Sequence, residues 1–315
     1  TGRWIQTIFY SLKKMKYYLV SLTAKMTSSM PKILVIGSSG QLASELKQLQ
    51  NQFSDYQFLF TSQIDLDISD KKSVESVFKS FMPNYLINCA AYTAVDKAES
   101  EQTRAFDINE KGVHNLASLS KEHSCYLIHI STDFVFDGKK SSLYKEDDQT
   151  NPLSVYGLSK LKGEEAILVS GCDYTIIRTS WLYSSFGNNF VKTMMRLGAE
   201  KESLNVVADQ IGSPTYCADL AQFILSQLEN LSLHKNNIYH YSNEGVASWY
   251  DFAYEIMHMS ELKCRVNPIP TSDYPTPAAR PSFSVMDKMK IKHDFKINIP
   301  HWKESLAKCI HLLRP

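Results

Sequence analysis

Tyr156 and Lys160 stand four positions apart in Tyr156-Gly-Leu-Ser-Lys160. On a helix that spacing puts both side chains on one face, where a phenol and an ammonium can meet. The ammonium favours phenolate, lowers the tyrosine pKa from about 10 toward the working range, and equips Tyr156 as a general acid. A Tyr-x-x-x-Lys pair alone is more often an ordinary amphipathic helix face. A second feature strengthens it: the apolar run Tyr126–Ile130 ends in Ser131-Thr132-Asp133. Parallel strands deliver polar residues at their carboxyl ends, where α/β sheets bind ligands. Thr132 is thus placed to hydrogen-bond the substrate oxygen that Tyr156 protonates.

A third group is built for phosphate. The buried-strand pattern Ile33-Leu-Val-Ile36 runs into Gly37-Ser-Ser-Gly40-Gln-Leu-Ala43. Gly37 permits a tight turn, and Gly40 lets backbone approach a pyrophosphate. The helix that follows offers free N–H groups and the positive end of its dipole. A residue reading the adenosine ribose should stand about 20 residues further on. There the chain reads Phe60-Thr-Ser-Gln63, without a carboxylate and without an Arg or Lys for a 2′-phosphate. The expectation is NADPH, with NADH left open. Asp65 and Asp67 come slightly later and serve equally well as loop caps.

These groups need a scaffold. Apolar runs recur at Phe58–Phe60, Tyr85–Ala91, Tyr126–Ile130 and Tyr174–Ile177. Between them lie helical patterns: Val74/Val77/Phe78/Phe81, Ala105 to Leu119, and Gly157 to Val169. Alternating strands and helices predict an α/β fold, a Rossmann-type doubly wound parallel sheet covered on both faces. After Trp181 the pattern loosens, and Pro268, Pro270, Pro275, Pro277 and Pro281 mark loop-rich chain. The expected division is a dinucleotide lobe over 31–180, with a return segment near 205–243. A smaller substrate lobe takes 181–204 and 244–315. Residues 1–29 carry aromatic side chains broken by lysines at 13, 14 and 16, and Tyr17–Leu22 is too short to span a bilayer. They read as a poorly ordered extension.

Composition narrows the function classes. The 315 residues hold 34 basic and 33 acidic side chains, a net charge of +1, which argues against a dedicated nucleic-acid binder. The six cysteines form no Cys-x-x-Cys pair and the histidines no His-Glu-x-x-His, so neither a disulfide frame nor a metal site is expected. A cytoplasmic protein without a membrane span is the reading.

The glycine turn, Asn88-Cys-Ala-Ala-Tyr-Thr93, Ser131-Thr-Asp-Phe-Val-Phe-Asp-Gly138 and Val155-Tyr-Gly-Leu-Ser-Lys160 together resemble the extended short-chain dehydrogenase/reductases. Within that superfamily, further stretches resemble the sugar-nucleotide reductases of dTDP-L-rhamnose synthesis. They are Ala94-Val-Asp-Lys-Ala-Glu-Ser100, Arg178-Thr-Ser-Trp-Leu-Tyr183, Gly187-Asn-Asn-Phe190, Asp209-Gln-Ile-Gly-Ser-Pro-Thr215 and Tyr274-Pro-Thr-Pro-Ala-Ala-Arg-Pro281. The resemblance implies reduction of the C4 keto group of dTDP-4-dehydro-L-rhamnose by NAD(P)H. It places Gly40, Gln41 and Leu42 at the pyrophosphate, Asp67 and Ile68 at the adenine, and Ala91, Tyr92 and Thr93 along the cofactor. Tyr156 becomes the proton donor, Lys160 the holder of the nicotinamide ribose, and Thr132 the third catalytic member. Thr132, Asp133 and Trp181 fall beside the sugar, and Arg280 is a candidate for the diphosphate.

Phe134 stands where related 4,6-dehydratases carry an acid, which favours a reductase. Ala218 stands where some members carry a magnesium-binding glutamate, leaving that metal without its ligand and the assembly between monomer and homodimer. Asp219 reads as the start of a helix over 220–228. Two other readings stay open: a reductase or epimerase of another nucleotide sugar, and a dinucleotide-binding regulatory subunit like that of a methionine adenosyltransferase.

Overall fold

The computed structural model describes residues 30–314; the extension expected over 1–29 lies outside the described residues. Six strands form one parallel sheet: β1 (Lys32–Ile36), β2 (Gln57–Thr61), β3 (Tyr85–Asn88), β4 (Tyr126–Thr132), β5 (Tyr174–Thr179) and, much later, Asn237–His240. The order is Asn237–His240, β5, β4, β3, β1, β2. The chain leaves β1 for one side and returns to the other at β3. This makes a topological switch point, and ligands of such sheets bind at the carboxyl ends there.

Alternation along the strands explains why both faces are covered. Ile33, Val35, Ile87, Ile128 and Ile177 point into one apolar cluster. Leu34, Ile36, Leu86, Leu127 and Ile176 point into another. With successive side chains on opposite faces, near-continuous apolar strands demand a helical layer on each side. One layer contains α1 (Gln41–Leu49), α6 (Cys217–Ser226) and α8 (Met289–Phe295), through residues such as Leu46, Ile224 and Phe295. The other contains α2 (Lys71–Phe81), α3 (Val113–Glu122) and α4 (Val155–Ser170), through Phe78, Leu116 and Ile167.

The smaller lobe has its own core. Strand β6 (Ser203–Val207) pairs in parallel with β8 (Arg265–Ile269), and α5 (Phe190–Glu200), α7 (Trp249–Met259) and α9 (Trp302–Leu313) pack around them. With these assigned, Asn237–His240 is β7. The loop-rich character expected after 181 holds for 270–288, whereas three helices follow residue 244. Two boundaries also differ from the expected division. Strand β6, which straddles the boundary expected near 205, pairs within the smaller lobe, while α8, beyond residue 244, packs on the large sheet. Ile291 and Phe295 supply the apolar face that draws α8 there.

Among the described residues no helix is long and apolar enough to cross a membrane. All six cysteines are free thiols. No group of three or more His, Cys, Asp or Glu side chains among the described residues stands where it could hold a metal ion.

Candidate active site

The phosphate turn is shaped by backbone necessity. Gly37 has φ +85°, and a Cβ built on it would lie 2.8 Å from the Ala90 backbone nitrogen. Only glycine fits this left-handed turn pressed against the chain leaving β3. Gly40 instead has ordinary extended φ at the head of α1. Gln41 and Leu42 open α1, where the first N–H groups have no intrahelical partner. The Leu42 side chain is buried in the core, so its N–H is what it can offer a ligand. The Gln41 amide accepts from Asn189 Nδ2 at 2.9 Å, tying the turn to the smaller lobe. Ala43, in place of a third glycine, is fully buried between helix and sheet.

This turn lines a cleft of about 160 Å³ together with Asp67, Ile68, Cys89, Ala90 and Ala91. Asp67 accepts from the Ser69 N–H at 2.9 Å and the Ser69 hydroxyl at 2.7 Å, so its carboxylate also caps the local loop. Tyr92 is buried and Thr93 exposed. The Tyr92 backbone is clamped at both ends: its N–H donates to Asn109 Oδ1 at 2.9 Å, and its carbonyl accepts from Asn109 Nδ2 at 3.0 Å. Asn109 sits in a wide helical turn, Asp107–Gly112, and also donates to Ser159 of α4 at 2.9 Å. Sequence reading missed this residue. The only available signal was an amide amid an apolar helical pattern.

The residues proposed for chemistry meet at the end of β4 and the start of α4. The Ser154 hydroxyl caps α4 by accepting from the Gly157 N–H at 3.1 Å. A Cβ on Gly157 would come within 2.3 Å of the Phe134 carbonyl oxygen, so its absence lets α4 seat directly behind the β4 terminus. The Tyr156 ring meets Phe134 edge-on, with centroids 5.5 Å apart. Thr132 is buried beside Tyr156, and its hydroxyl accepts from the Phe134 N–H at 3.2 Å and donates to Asp133 at 3.1 Å.

Burial pushes the Tyr156 phenol up to about 12, against the pull of the Thr132 hydroxyl, with the Asp133 charge adding to the rise. The direction is opposite to that expected from a neighbouring ammonium. Lys160 does share the helix face, but its Nζ turns away to the Ile130 carbonyl at 2.7 Å and His129 Nε2 at 3.2 Å. Desolvation therefore dominates the phenol, which keeps its proton at neutral pH. Lys160, 2% exposed, is itself drawn down to about 8 by burial, with Glu164 and Cys89 opposing. Asp133 is 2% exposed, and its Oδ2 has no hydrogen-bond partner. Burial lifts its carboxyl to about 6, against the neighbouring Ser284 and Thr132 hydroxyls.

A larger cavity of about 620 Å³ opens in the smaller lobe, lined by residues including Phe190, Gln210, Trp249, Tyr274 and Arg280. Trp181 adopts φ +47° and stacks on Trp249, with centroids 3.6 Å apart and planes 10° from parallel. The close approach of Gly212 to the Trp181 indole admits no side chain there. Trp249 was not singled out from the sequence, since an aromatic at a helix start reads as core. The Arg280 guanidinium is not free: it grips Asp96 with two hydrogen bonds of 3.0 and 2.8 Å. Asp219, expected to start a helix over 220–228, lies in the first turn of Cys217–Ser226 and accepts from Asn243 Nδ2 at 2.7 Å.

Comparison with known proteins gives a consistent result. Residues 31–314 match the family described as RmlD substrate binding domain. The dTDP-4-dehydrorhamnose reductase of Aggregatibacter actinomycetemcomitans is 43% identical over 286 residues, covering 88% of this chain and 97% of that protein. The enzyme of the same name from Escherichia coli is 36% identical, covering 89% and 97%. Among solved structures, dTDP-4-dehydrorhamnose reductase from Bacillus anthracis in complex with NADP superposes with a TM-score of 0.86 at 39% identity, covering 90% of this chain and 99% of that one.

Proposed function

The chain belongs to the RmlD substrate binding domain family, and from that premise we propose that it reduces the C4 keto group of dTDP-4-dehydro-L-rhamnose to give dTDP-L-rhamnose. The observation that carries this reading is the cluster at the β4 terminus, where a protonated Tyr156 phenol stands beside the Thr132 hydroxyl. An oxyanion formed at a keto carbon needs such a donor, and Phe134 offers no acid for eliminating water.

NADPH fits the first cleft. Gly37 leaves a side-chain-free cradle at the switch point, and Gln41 and Leu42, in the first turn of α1, have N–H groups to offer an anion. Gly40, Asp67, Ile68 and Ala91 line that cleft, and Tyr92 and Thr93 continue the chain from it along the cofactor. When bound, NADPH supplies the hydride. Tyr156 gives its proton to the developing alkoxide, and Thr132 hydrogen-bonds the same oxygen. Lys160, turned outward as an ammonium, holds the nicotinamide ribose and favours the resulting phenolate. Asp133 and Trp181 position the sugar, while Arg280 takes the diphosphate in two-pronged fashion. The large-sheet lobe is assigned the cofactor and the smaller lobe the nucleotide sugar. The free thiols suit the cytoplasm.

The test is NADPH and NADH oxidation with dTDP-4-dehydro-L-rhamnose, the product identified by mass and Tyr156→Phe run alongside. A product heavier by two hydrogens, absent in the variant, is expected. Saturable NADPH binding without turnover would overturn the reading in favour of another keto sugar or a regulatory subunit.

A further inference from the structure

His129 and Asn88 have no part in the scheme above, yet they lie directly beneath Lys160. They are register partners across β3 and β4, fully buried, on the face that carries α4. The Asn88 amide has one orientation, because its Oδ1 accepts the Ala90 N–H at 3.1 Å. Its Nδ2 therefore donates to His129 Nδ1 at 3.0 Å. An imidazole that accepts at Nδ1 carries its proton on Nε2. That Nε2–H faces Lys160 Nζ at 3.2 Å.

An ammonium has three donors and no acceptor, so it would meet this N–H donor to donor. A free amine has a lone pair for the Nε2–H and still donates to the Ile130 carbonyl at 2.7 Å. The other tautomer of His129 would turn an N–H against the Asn88 amide, so the imidazole has no alternative. Burial and Lys160 also keep it from ionising, well below the ordinary histidine range.

We infer that His129, locked by Asn88, is a positioning residue that holds Lys160 as a free amine against β4 and turns it outward once it is an ammonium. The other groups facing Lys160 do not reverse this. Glu164, one turn along α4, is paired with Arg178 of β5 at 2.7 Å. Cys89, following β3, is kept as a thiol by burial, pushed up to about 12. Lysine thus gains two positions, one for each protonation state, with the proton drawn from solvent. Its catalytic meaning rests on the reductase reading, whereas the protonation pattern does not.

The experiment is NMR on the whole chain with ¹⁵N-histidine and ¹³Cε-lysine, titrated from neutral to alkaline pH, with Lys160 assigned by difference against Lys160→Arg. The expected result is a neutral Nε2–H tautomer for His129 and a Lys160 inflection near 8. In His129→Phe that inflection rises by about one pH unit, the size of one net hydrogen bond. In His129→Gln, whose amide offers both an acceptor and a donor, it returns toward the original value. An Nδ1–H tautomer in the unaltered protein, or an unmoved inflection in folded His129→Phe, overturns the inference. If His129→Phe does not fold, the tautomer and the Gln variant decide. Absence of reductase turnover would leave these signals unchanged and so fells only the reaction assignment.

Discussion

Asp96 and Arg280, 184 positions apart, close on one another through two parallel hydrogen bonds of 3.0 and 2.8 Å. Asp96 belongs to the segment that leaves the large sheet after β3, whereas Arg280 lines the smaller-lobe cavity. The pair therefore ties the smaller-lobe cavity to the segment that continues from Ala91, Tyr92 and Thr93. Both side chains remain partly exposed, so water and salt weaken the pair to about 1 kcal/mol or less. A diphosphate offers the same planar fork two charge-assisted bonds, and can displace the carboxylate.

Arg280→Ala is accordingly expected to raise KM for the nucleotide sugar by about tenfold or more, with kcat less affected. Arg280→Lys should not restore it, because an ammonium cannot make the two-pronged contact. Steady-state kinetics at fixed saturating NADPH check this; an unchanged KM in both variants removes Arg280 from the diphosphate site.

Tyr156→Phe should retain NADPH affinity and lose turnover by about 10²–10⁴-fold, the usual contribution of a positioned acid. Fluorescence titration with NADPH and a turnover assay separate the two effects. Normal turnover would assign the proton to another group.

The two turn glycines should fail in different ways. Gly37→Ala forces a methyl against Ala90 at positive φ, a strain of order 1–3 kcal/mol that lowers the melting temperature. At Gly40 the same methyl meets only the Gly37 carbonyl at 3.2 Å, with ordinary φ. Gly40→Ala is expected to fold nearly normally and weaken NADPH binding. Calorimetric unfolding and cofactor titration of both variants test the contrast; equal melting temperatures would refute it.

Asp133 gives a pH signature. Its carboxyl is raised from 3.8 to about 6 in the folded chain, so the native state binds more protons than the unfolded one between those values. Stability from this group is full below about pH 4 and lost as pH rises through about 6, by roughly 2–3 kcal/mol. The buried histidines titrate in the opposite sense, so the comparison is with Asp133→Asn across that range. The variant should gain stability relative to the parent as pH rises; parallel curves would show that Asp133 ionises freely.

Much of this was legible in the sequence because it is local or periodic. Ile33-Leu-Val-Ile36 reads as a strand buried on both faces, and Tyr156 with Lys160 share a face of the helix that their segment's pattern predicts. The shape of the glycine turn followed from residue type. What escaped depends on contacts between distant segments. The orientation of Lys160 is decided by His129 and Asn88, whose meeting requires the register of β3 on β4. The phenol rises instead of falling because burial outweighs a lysine that points elsewhere. Asn109, Trp249 and the Asp96–Arg280 pair each join segments whose proximity no spacing along the chain reveals.

The sheet that carries the proposed cofactor cleft takes its last strand and part of one helical layer from beyond residue 236: β7 pairs with β5, and Ile291, Phe295 and Ile299 cover the same apolar cluster as Leu42 and Ile33. During synthesis, then, residues 30–180 emerge with β5 unpaired at its outer edge and one apolar face covered by α1 alone, a sticky intermediate. A fragment cut at 180 should precipitate on expression, where an autonomous module would stay dissolved. A cut at 180 removes β7 and α8 together, so the growing polypeptide covers the outer edge of β5 only once residues 237–240 have emerged, and that end of the sheet's face only with α8.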